Sequence, residues 1–519
     1  MSAKPPLIAV IGTTGVGKSQ LGVEIAKALA DRPSKPLRGE VINHDSMQCY
    51  RGLDVITNKA TVEEMDDVPH HLMGFLEPGE EWGVNDFVRD AMESIDNLQK
   101  QQTVPICVGG TSYYLQNLIF PNQLVNDVSG EPAPPEPALA TSLRTMEDIG
   151  NFPPTLRQSI EILPQELLTL FLTLPGLPQI STPDDFPPPF PLDLLPPRLR
   201  SPTTLTPALF DLLQRVDPTS AERWHWRDIR KVRRALDIVW SGRRWEDVVN
   251  EQQEKPDGGA RFRSLVFWLY AENDYLHPRL DGRVDKMIER GLLREIDELW
   301  QIAHGPEAEP TNYSKGIYQA IGYKEFEPYL CLRHRDPSLT IESDAGLRKV
   351  FDQGVETMKV STRQYAKRQV KWIKSKLLPA VRKLEKPSEV TVVLLDASDL
   401  SRWNDNVRDQ AVNLVNAFLD GNPLPDPLSL SSAASLHLSP PAPISPAAHL
   451  KRACPTCTRD PNRPLMVEER QWEGHLKTKA HRIAVQKQKK AVEKEARRAA
   501  ASRQGREEDG EAVEASSLG

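Results

Sequence analysis

Eight residues near the start constrain this chain more than any others: Gly12-Thr13-Thr14-Gly15-Val16-Gly17-Lys18-Ser19. They keep the spacing glycine, four residues, Gly-Lys-Ser, and they follow an apolar run from Leu7 to Ile11. Beyond them Leu21, Val23, Ile25, Ala26 and Leu29 fall on one helical face. Strand, glycine-rich turn and helix in that order make a cradle for phosphate. Glycines let backbone N–H groups wrap the oxygens, and the helix N-terminus adds partial positive charge. Lys18 reaches the outer oxygens, and the Ser19 hydroxyl can ligand Mg2+. All eight residues are therefore candidate phosphate contacts, which still leaves the reaction open.

The next segments continue the alternation. Glu40–Asn43 reads as a second buried strand, residues 85–101 as an amphipathic helix, and Thr103–Val108 as a third strand closing on Gly109-Gly110-Thr111. Such βαβ order predicts a parallel sheet with helices on both faces. In an open sheet of this kind ligands sit beyond the carboxyl ends of the strands, which places Asp45 beside the phosphate loop. His70-His71 is expected on a loop, without a carboxylate or third ligand for a metal, in a structural or substrate-shaping role.

Composition bounds the rest. At 519 residues, two to four domains are expected. The 65 basic and 72 acidic residues leave a net charge of −7, so no global basic field points to a nucleic acid, although cations gather around 359–376 and 477–506. Five cysteines (49, 107, 331, 454, 457) are too scattered for a disulfide framework. No apolar run approaches the roughly 18 residues of a spanning helix, and no leader peptide is expected before the first strand. The expected compartment is the cytoplasm, with mitochondrion or nucleus as alternatives, and no membrane partner. Residues 131–210 hold 18 of the 45 prolines and read mostly as loop, with helical pieces at 160–173 and 206–215.

Five motifs in order resemble the tRNA dimethylallyltransferases: Gly12–Ser19, the run from Asn43 through Asp45-Ser46-Met47-Gln48 to Asp54, Thr57-Asn58-Lys59, His70-His71-Leu72, and Gly109-Gly110-Thr111 with Tyr113-Tyr114. The resemblance resumes at Val216-Asp217-Pro218 and His225-x-x-Asp228-x-Arg230-Lys231-Val232-Arg233-Arg234, and runs on through Arg279-Leu-x-x-Arg283-Val-Asp285 and Gly316–Glu325. It implies transfer of a dimethylallyl group from its pyrophosphate ester to N6 of adenosine 37 in the tRNA anticodon stem-loop. On this reading the loop Gly12–Ser19 holds the pyrophosphate, Asp45 takes the amine proton, and Thr14 supplies a hydroxyl at the reacting centre. Asp45, Ser46, Met47, Gln48 and Thr111 then touch tRNA. Arg230, Lys231, Arg233 and Arg234 grip tRNA backbone, with Arg234 assigned to the pyrophosphate. The bland reading of that helix is a solvated face. Arg363, Lys367 and Arg368 lie in a stretch where cations alternate with aromatics, a composition suited to a phosphate backbone and a stacked base.

Near the C-terminus Cys454-x2-Cys457-x17-His475-x5-His481 offers two thiolates and two imidazoles for tetrahedral zinc, in a pattern that resembles RNA-binding zinc fingers. The resemblance places the chain with the eukaryotic members. The expected architecture is α/β: a phosphate-loop parallel-sheet core with helices on both faces, a helical and irregular insertion, and a C-terminal C2H2-type zinc finger. Its expected divisions are 1–120 and 216–421 (core), 121–215 (insertion), 422–450 (linker), 451–485 (finger) and 486–519 (charged tail). A monomer with Mg2+ and Zn2+ is expected. Three other readings stay open: an enzyme that prenylates free adenine nucleotides, a small-molecule kinase of the same fold, and a non-catalytic tRNA-binding protein.

Overall fold

A computed structural model describes residues 4–121, 149–174, 195–224, 226, 228–248, 259–304, 313, 316–440, 451–458, 465–478 and 481–490. The first half of the core runs β1 (Pro6–Gly12), α1 (Lys18–Ala28), β2 (Arg38–Asn43), α2 (Val62–Met65), β3 (His70–His71), α3 (Val84–Lys100), β4 (Thr103–Val108) and α4 (Ser112–Ile119). An insertion follows, with α5 (Pro154–Glu161), α6 (Gln165–Leu172), α7 (Pro202–Val216), α8 (Pro218–Arg223) and α9 (Ile229–Trp240). The core resumes with β5 (Arg263–Tyr270), α10 (Asn273–Glu289), α11 (Leu292–Ala303), α12 (Glu327–Arg335), α13 (Ala345–Trp372), α14 (Leu378–Arg382), β6 (Val390–Asp396), α15 (Asp409–Asp420) and α16 (Ser432–Leu438).

The six core strands form one sheet in the order β3-β2-β4-β1-β5-β6, and every pairing is parallel. β1 is central, with Ile8 opposite Ile106 on one side and Leu265 on the other. Its continuous apolar run follows from cover on both faces. Ile8 and Val10 pack with Leu21 and Ile25 of α1 and with Leu414 and Phe418 of α15. Leu7, Ala9 and Ile11 face Phe87, Ala91 and Ile95 of α3 and Leu115 of α4. Burying each such Leu or Ile fully contributes about 1.5–3 kcal/mol, so the strand carrying the phosphate loop is firmly seated.

Three expectations need correction. His70-His71 is a short edge strand paired with Val41 and Ile42 rather than a loop, and the missing carboxylate is Glu40, whose Oε2 lies 2.7 Å from His71 Nε2. Residues 160–173 are two helices, broken at Leu163-Pro164, and the described parts of the insertion share a leucine-rich core including Leu156, Leu170, Leu205, Leu212 and Leu236. Its described prolines mostly start helices, and Pro207 alone of them lies inside one, α7. Pro154, Pro202 and Pro218 stand in first turns and Pro164 at an N-cap, where a missing N–H costs nothing. Residues 122–148 and 175–194, much of the proline-rich stretch, lie outside the described residues. The core also extends past 421: α16 buries Ala434 and Leu438 against the α3 face of the sheet, and the first compact unit ends at Ser439.

The second unit contains a two-stranded antiparallel ribbon, β7 (Lys451–Ala453) with β8 (Met466–Glu468), and a short helix, α17 (Trp472–Leu476). Residues 491–519, which include most of the expected charged tail, lie outside the described residues.

Candidate functional site

A cleft of about 850 Å3 opens beyond the carboxyl ends of the central strands. Thr14, Gly15, Gly17, Lys18, Ser19, Asp45, Ser46, Met47, Gln48, Arg283 and Arg368 all line it. The phosphate loop forms one wall, and two of its glycines have distinct reasons to be glycine. At Gly12 (φ 146°) a Cβ would stand 2.3 Å from the Leu269 carbonyl oxygen. At Gly17 (φ 91°), the left-handed N-cap of α1, it would strike the Trp403 indole at 2.6 Å. Trp403 is held there by its own N–H, which donates to both Glu24 oxygens at 3.0 Å. Thr13 and Val16 are buried in the turn itself.

Long-range contacts then set the loop's groups. The Thr14 N–H donates to Gln369 Oε1 (2.9 Å), and Gln369 Nε2 donates to the Gly110 carbonyl (3.0 Å). One amide from α13 thus ties the phosphate loop to the turn after β4. Lys18 Nζ donates to the Thr13 carbonyl (2.7 Å). Burial pushes its pKa down to about 8, with Asp45 opposing the shift and Arg283 adding to it. Burial and the Lys18 cation likewise push His44, wholly inside, down to about 4, so its imidazole is neutral at physiological pH.

Asp45 begins the turn after β2. Its N–H donates to Asn43 Oδ1 (3.0 Å), and its Oδ1 accepts from the Met47 N–H (3.1 Å). Its Oδ2 sits 2.9 Å from where a Cβ on Gly110 would be, so that glycine leaves room for the carboxylate. Ser46 N–H donates to Thr111 Oγ1 (3.1 Å). Gln48 Nε2 donates to the Thr57 and Asn58 carbonyls, which leaves Gln48 Oε1 as the end that can accept. Tyr365, bonded to Thr111 and Gln369, has its phenol raised by burial and by Asp45.

The arginines divide differently from the sequence expectation. Arg230, Lys231, Arg233 and Arg234 are not among the residues lining the cleft; Arg283 and Arg368 are. Arg283 projects from α10, and burial pushes it down to about 10 against the pull of Asp45 and Glu64. Lys359 pairs with Asp285 (2.7 Å) and Arg363 with Asp281, clamping α10 to α13 around it. Arg363 is therefore engaged within the fold. So is Arg233, 4 % exposed, whose Nε donates to Asp237 Oδ1 (2.8 Å) and whose guanidinium also donates to the Leu174 carbonyl. Lys231 pairs with Asp228 (2.6 Å) and lies over the Trp224 ring. Arg230 and Lys367 are exposed and Arg234 half-buried; His225 lies outside the described residues. The signal for Arg283 was present in the run Arg279-x3-Arg283, one helical turn apart. Arg279 is spent on the Ala397 and Ser398 carbonyls, a distinction no spacing reveals. Gln369 carried no local signal.

In the second unit the candidate ligand atoms of Cys454, Cys457, His475 and His481 all lie within 4.8 Å of one another. Cys457 Sγ is 3.4 Å and Cys454 Sγ 3.6 Å from His481 Nδ1, which is 3.2 Å from His475 Nε2. Ligands at about 2.0–2.3 Å from a tetrahedral zinc stand about 3.3–3.8 Å apart, so these four residues can hold a metal ion.

The IPP transferase family profile matches residues 48–159 and 195–376. A tRNA dimethylallyltransferase of Schizosaccharomyces pombe is 34% identical over 503 residues, 95% of this chain and 98% of the relative. The human tRNA dimethylallyltransferase is 27% identical, covering 93% of this chain and 87% of its own. A crystal structure of a eukaryotic dimethylallyltransferase acting on tRNA aligns with a TM-score of 0.64 at 28% identity, over 95% of this chain and 100% of that one. With the phosphate loop, Asp45 and a second cation in one cleft, and eukaryotic relatives matched along nearly their whole length, the chain belongs to the IPP transferase family of tRNA dimethylallyltransferases.

Proposed function

We propose that this prenyltransferase moves a dimethylallyl group from dimethylallyl pyrophosphate to N6 of adenosine 37 of tRNA. The observation that carries the reading is that one cleft holds the Asp45 carboxylate and the cations Lys18 and Arg283, with Gln369 bridging the phosphate loop to the Gly110 turn. An exocyclic amine is a weak nucleophile. Asp45, oriented by Asn43 and the Met47 N–H, accepts the N6 proton as the N6–C1 bond forms and the C1–O bond to pyrophosphate breaks. Lys18, Arg283 and the N–H groups of Gly12–Ser19 other than that of Thr14, which is held by Gln369, receive the negative charge of the leaving group. Thr14 offers a hydroxyl between the two ends. Adenosine 37 must leave the stacked anticodon loop to reach Asp45, with Gln48 Oε1 and Ser46 placed to meet its edge.

The Ser19 hydroxyl lines the cleft, and the described acidic residues there form no three-ligand cage. That donor set fits Mg2+ held by one hydroxyl, water and the pyrophosphate oxygens, where it would supply further charge neutralisation. Zinc is the ion proposed for the Cys2His2 cluster, where it would hold the ribbon to the helix.

The test is nucleoside mass analysis after incubating the protein with dimethylallyl pyrophosphate, Mg2+ and a stem-loop carrying A36-A37-A38. Prenylated adenosine at position 37, with none formed from free AMP, is the expected product. Asp45→Ala should abolish transfer while stem-loop binding persists. Equal loss of both would remove its role as base, and transfer of phosphate from ATP instead would replace the whole reading with a kinase.

A further inference from the structure

Beyond the turn that ends in Thr111, adjacent tyrosines part company. Tyr114 goes inward, stacked on Phe87 (4.8 Å, 21°) with its hydroxyl donating to the Trp82 carbonyl. Tyr113 stays on the surface, 39 % exposed. Its ring packs edge-on against Trp372 at the end of α13, with centroids 5.4 Å apart at 73°. Trp372 is itself fixed, because its indole N–H donates to Gln116 Oε1 (3.1 Å), one turn after Tyr113 on α4. Two rings from different elements are thus locked together at the surface, where a core would ask for neither.

Cations surround this pair. Arg230 and Arg234, one turn apart on α9 of the insertion, both lower the Tyr113 phenol by their charge while burial raises it. Arg368, one turn before Trp372, lines the cleft and lies over the Tyr365 ring. Arg368 thus stands at the cleft one turn from Trp372, and Arg230 and Arg234 are near enough for their charge to reach the Tyr113 ring. Fixed rings with guanidinium groups nearby are what single-stranded nucleic acid requires: stacking surface for bases and charge for phosphates.

We infer that Tyr113 and Trp372 form a stacking platform for an unpaired nucleobase next to the reacting one, with Arg230 and Arg234 at the adjoining phosphates. The inference rests on the tRNA reading above and extends it to how the loop is held while its central base is withdrawn. It also explains what the insertion contributes, since α9 carries two arginines to the platform while its neighbour Arg233 is buried in holding the helix in place.

The experiment uses the full-length protein and stem-loops carrying 2-aminopurine at position 36 or 38. Wild type should quench the probe at one of the two positions. Tyr113→Ala should remove that quenching and raise the stem-loop Kd and KM about 5- to 100-fold, the range of one base–aromatic stack. The KM for dimethylallyl pyrophosphate, set at the other end of the cleft, should move far less. Tyr113→Phe should restore the wild-type values, because the ring and not the hydroxyl does the stacking. If Tyr113→Ala lowers stability, Tyr113→Leu refills the apolar contact with Trp372 without a ring and must show the same loss. Undiminished quenching and affinity in a folded Tyr113→Ala or Tyr113→Leu protein overturns the platform alone. Failure of the wild type to bind or modify any stem-loop overturns the tRNA reading beneath it.

Discussion

Glu295 lies outside the cleft on α11 and is 7 % exposed, yet it organises one wall. Its Oε1 accepts from the Val55 N–H (2.8 Å), and its Oε2 accepts from both Val55 (3.0 Å) and Ile56 (2.8 Å). Those residues belong to a tight loop with Leu53 (φ 54°) and Asn58 (φ 47°) in left-handed conformations. Lys59 closes it by donating to the Gly52 carbonyl and to Asp54 Oδ1. The loop's Thr57 and Asn58 carbonyls hold the Gln48 amide, so Glu295 positions a cleft residue through two intermediates. Glu295→Ala strands the buried Ile56 N–H and the part-buried Val55 N–H, at about 1–3 kcal/mol for the former and less for the latter, a loss of about 2–4 kcal/mol. Glu295→Gln behaves differently. Its one carbonyl oxygen can take the Oε2 place and keep both donors, losing only the charge assistance, about 1 kcal/mol. Urea denaturation of the two variants, hydrogen exchange at Val55 and Ile56, and the stem-loop KM measure the chain of effects. The expected order is a large loss of stability, lost amide protection and a raised RNA KM for Ala, with Gln close to wild type. An Ala variant within about 0.5 kcal/mol of wild type, the usual spread of surface substitutions, refutes the claim that the wall depends on this carboxylate. A Gln variant as damaged as Ala refutes the single-oxygen argument.

Other consequences can be read in the same way. Lys18 has its pKa lowered to about 8, so the KM for the pyrophosphate donor should climb as pH rises through 8 and the ammonium is lost. Its contribution to fold stability has the opposite slope: the unfolded chain keeps this proton up to about 10.5, so stability should rise between pH 8 and 10.5, and a Lys18→Met protein lacking both trends would confirm the assignment. Arg233→Ala should destabilise by about 3–5 kcal/mol, because it leaves the Leu174 carbonyl and Asp237 without their cation. Arg230→Ala should leave the melting temperature alone and flatten the salt dependence of stem-loop binding; the reverse pattern would mean that α9 faces the other way. Cobalt added to the protein should give a tetrahedral thiolate absorption that Cys454→Ser abolishes, and an absorption unchanged by Cys454→Ser would place cobalt binding elsewhere.

Local features of this chain are legible because their causes are local. The phosphate loop needs glycines where the backbone turns left-handed and passes against Leu269 and Trp403, and those constraints appear directly as letters. The strands Thr103–Val108 and Leu265–Leu269 announce themselves through unbroken apolar runs, as covered parallel strands must. The position of Asp45 follows from its place after a strand, without any knowledge of Asn43 or Gly110. The insertion is harder to read because proline counts ignore position: a proline at a helix start leaves a packed leucine core intact, and among the described prolines of the insertion only Pro207 falls inside a helix. His71 finds its carboxylate in Glu40 on the neighbouring strand, a pairing 31 residues away in sequence.

The arginines show where the boundary lies. Sequence alone determined the central parallel strands, the glycine-rich loop, the place of Asp45 beyond a strand end and the Cys2His2 set, but not the edge strand His70–His71, because periodicity and spacing act over short stretches. It also supplied a surplus of cations, all chemically able to meet pyrophosphate or RNA. Only the tertiary structure decided among them. Arg233 is consumed by Asp237 and Leu174, Arg363 by Asp281 and Arg279 by two carbonyls, while Arg283 reaches the cleft and Arg230 the surface. A guanidinium serves whichever acceptor the packing brings within reach, and apart from the Arg233–Asp237 pair within one helix that reach is set by contacts between segments tens to hundreds of residues apart.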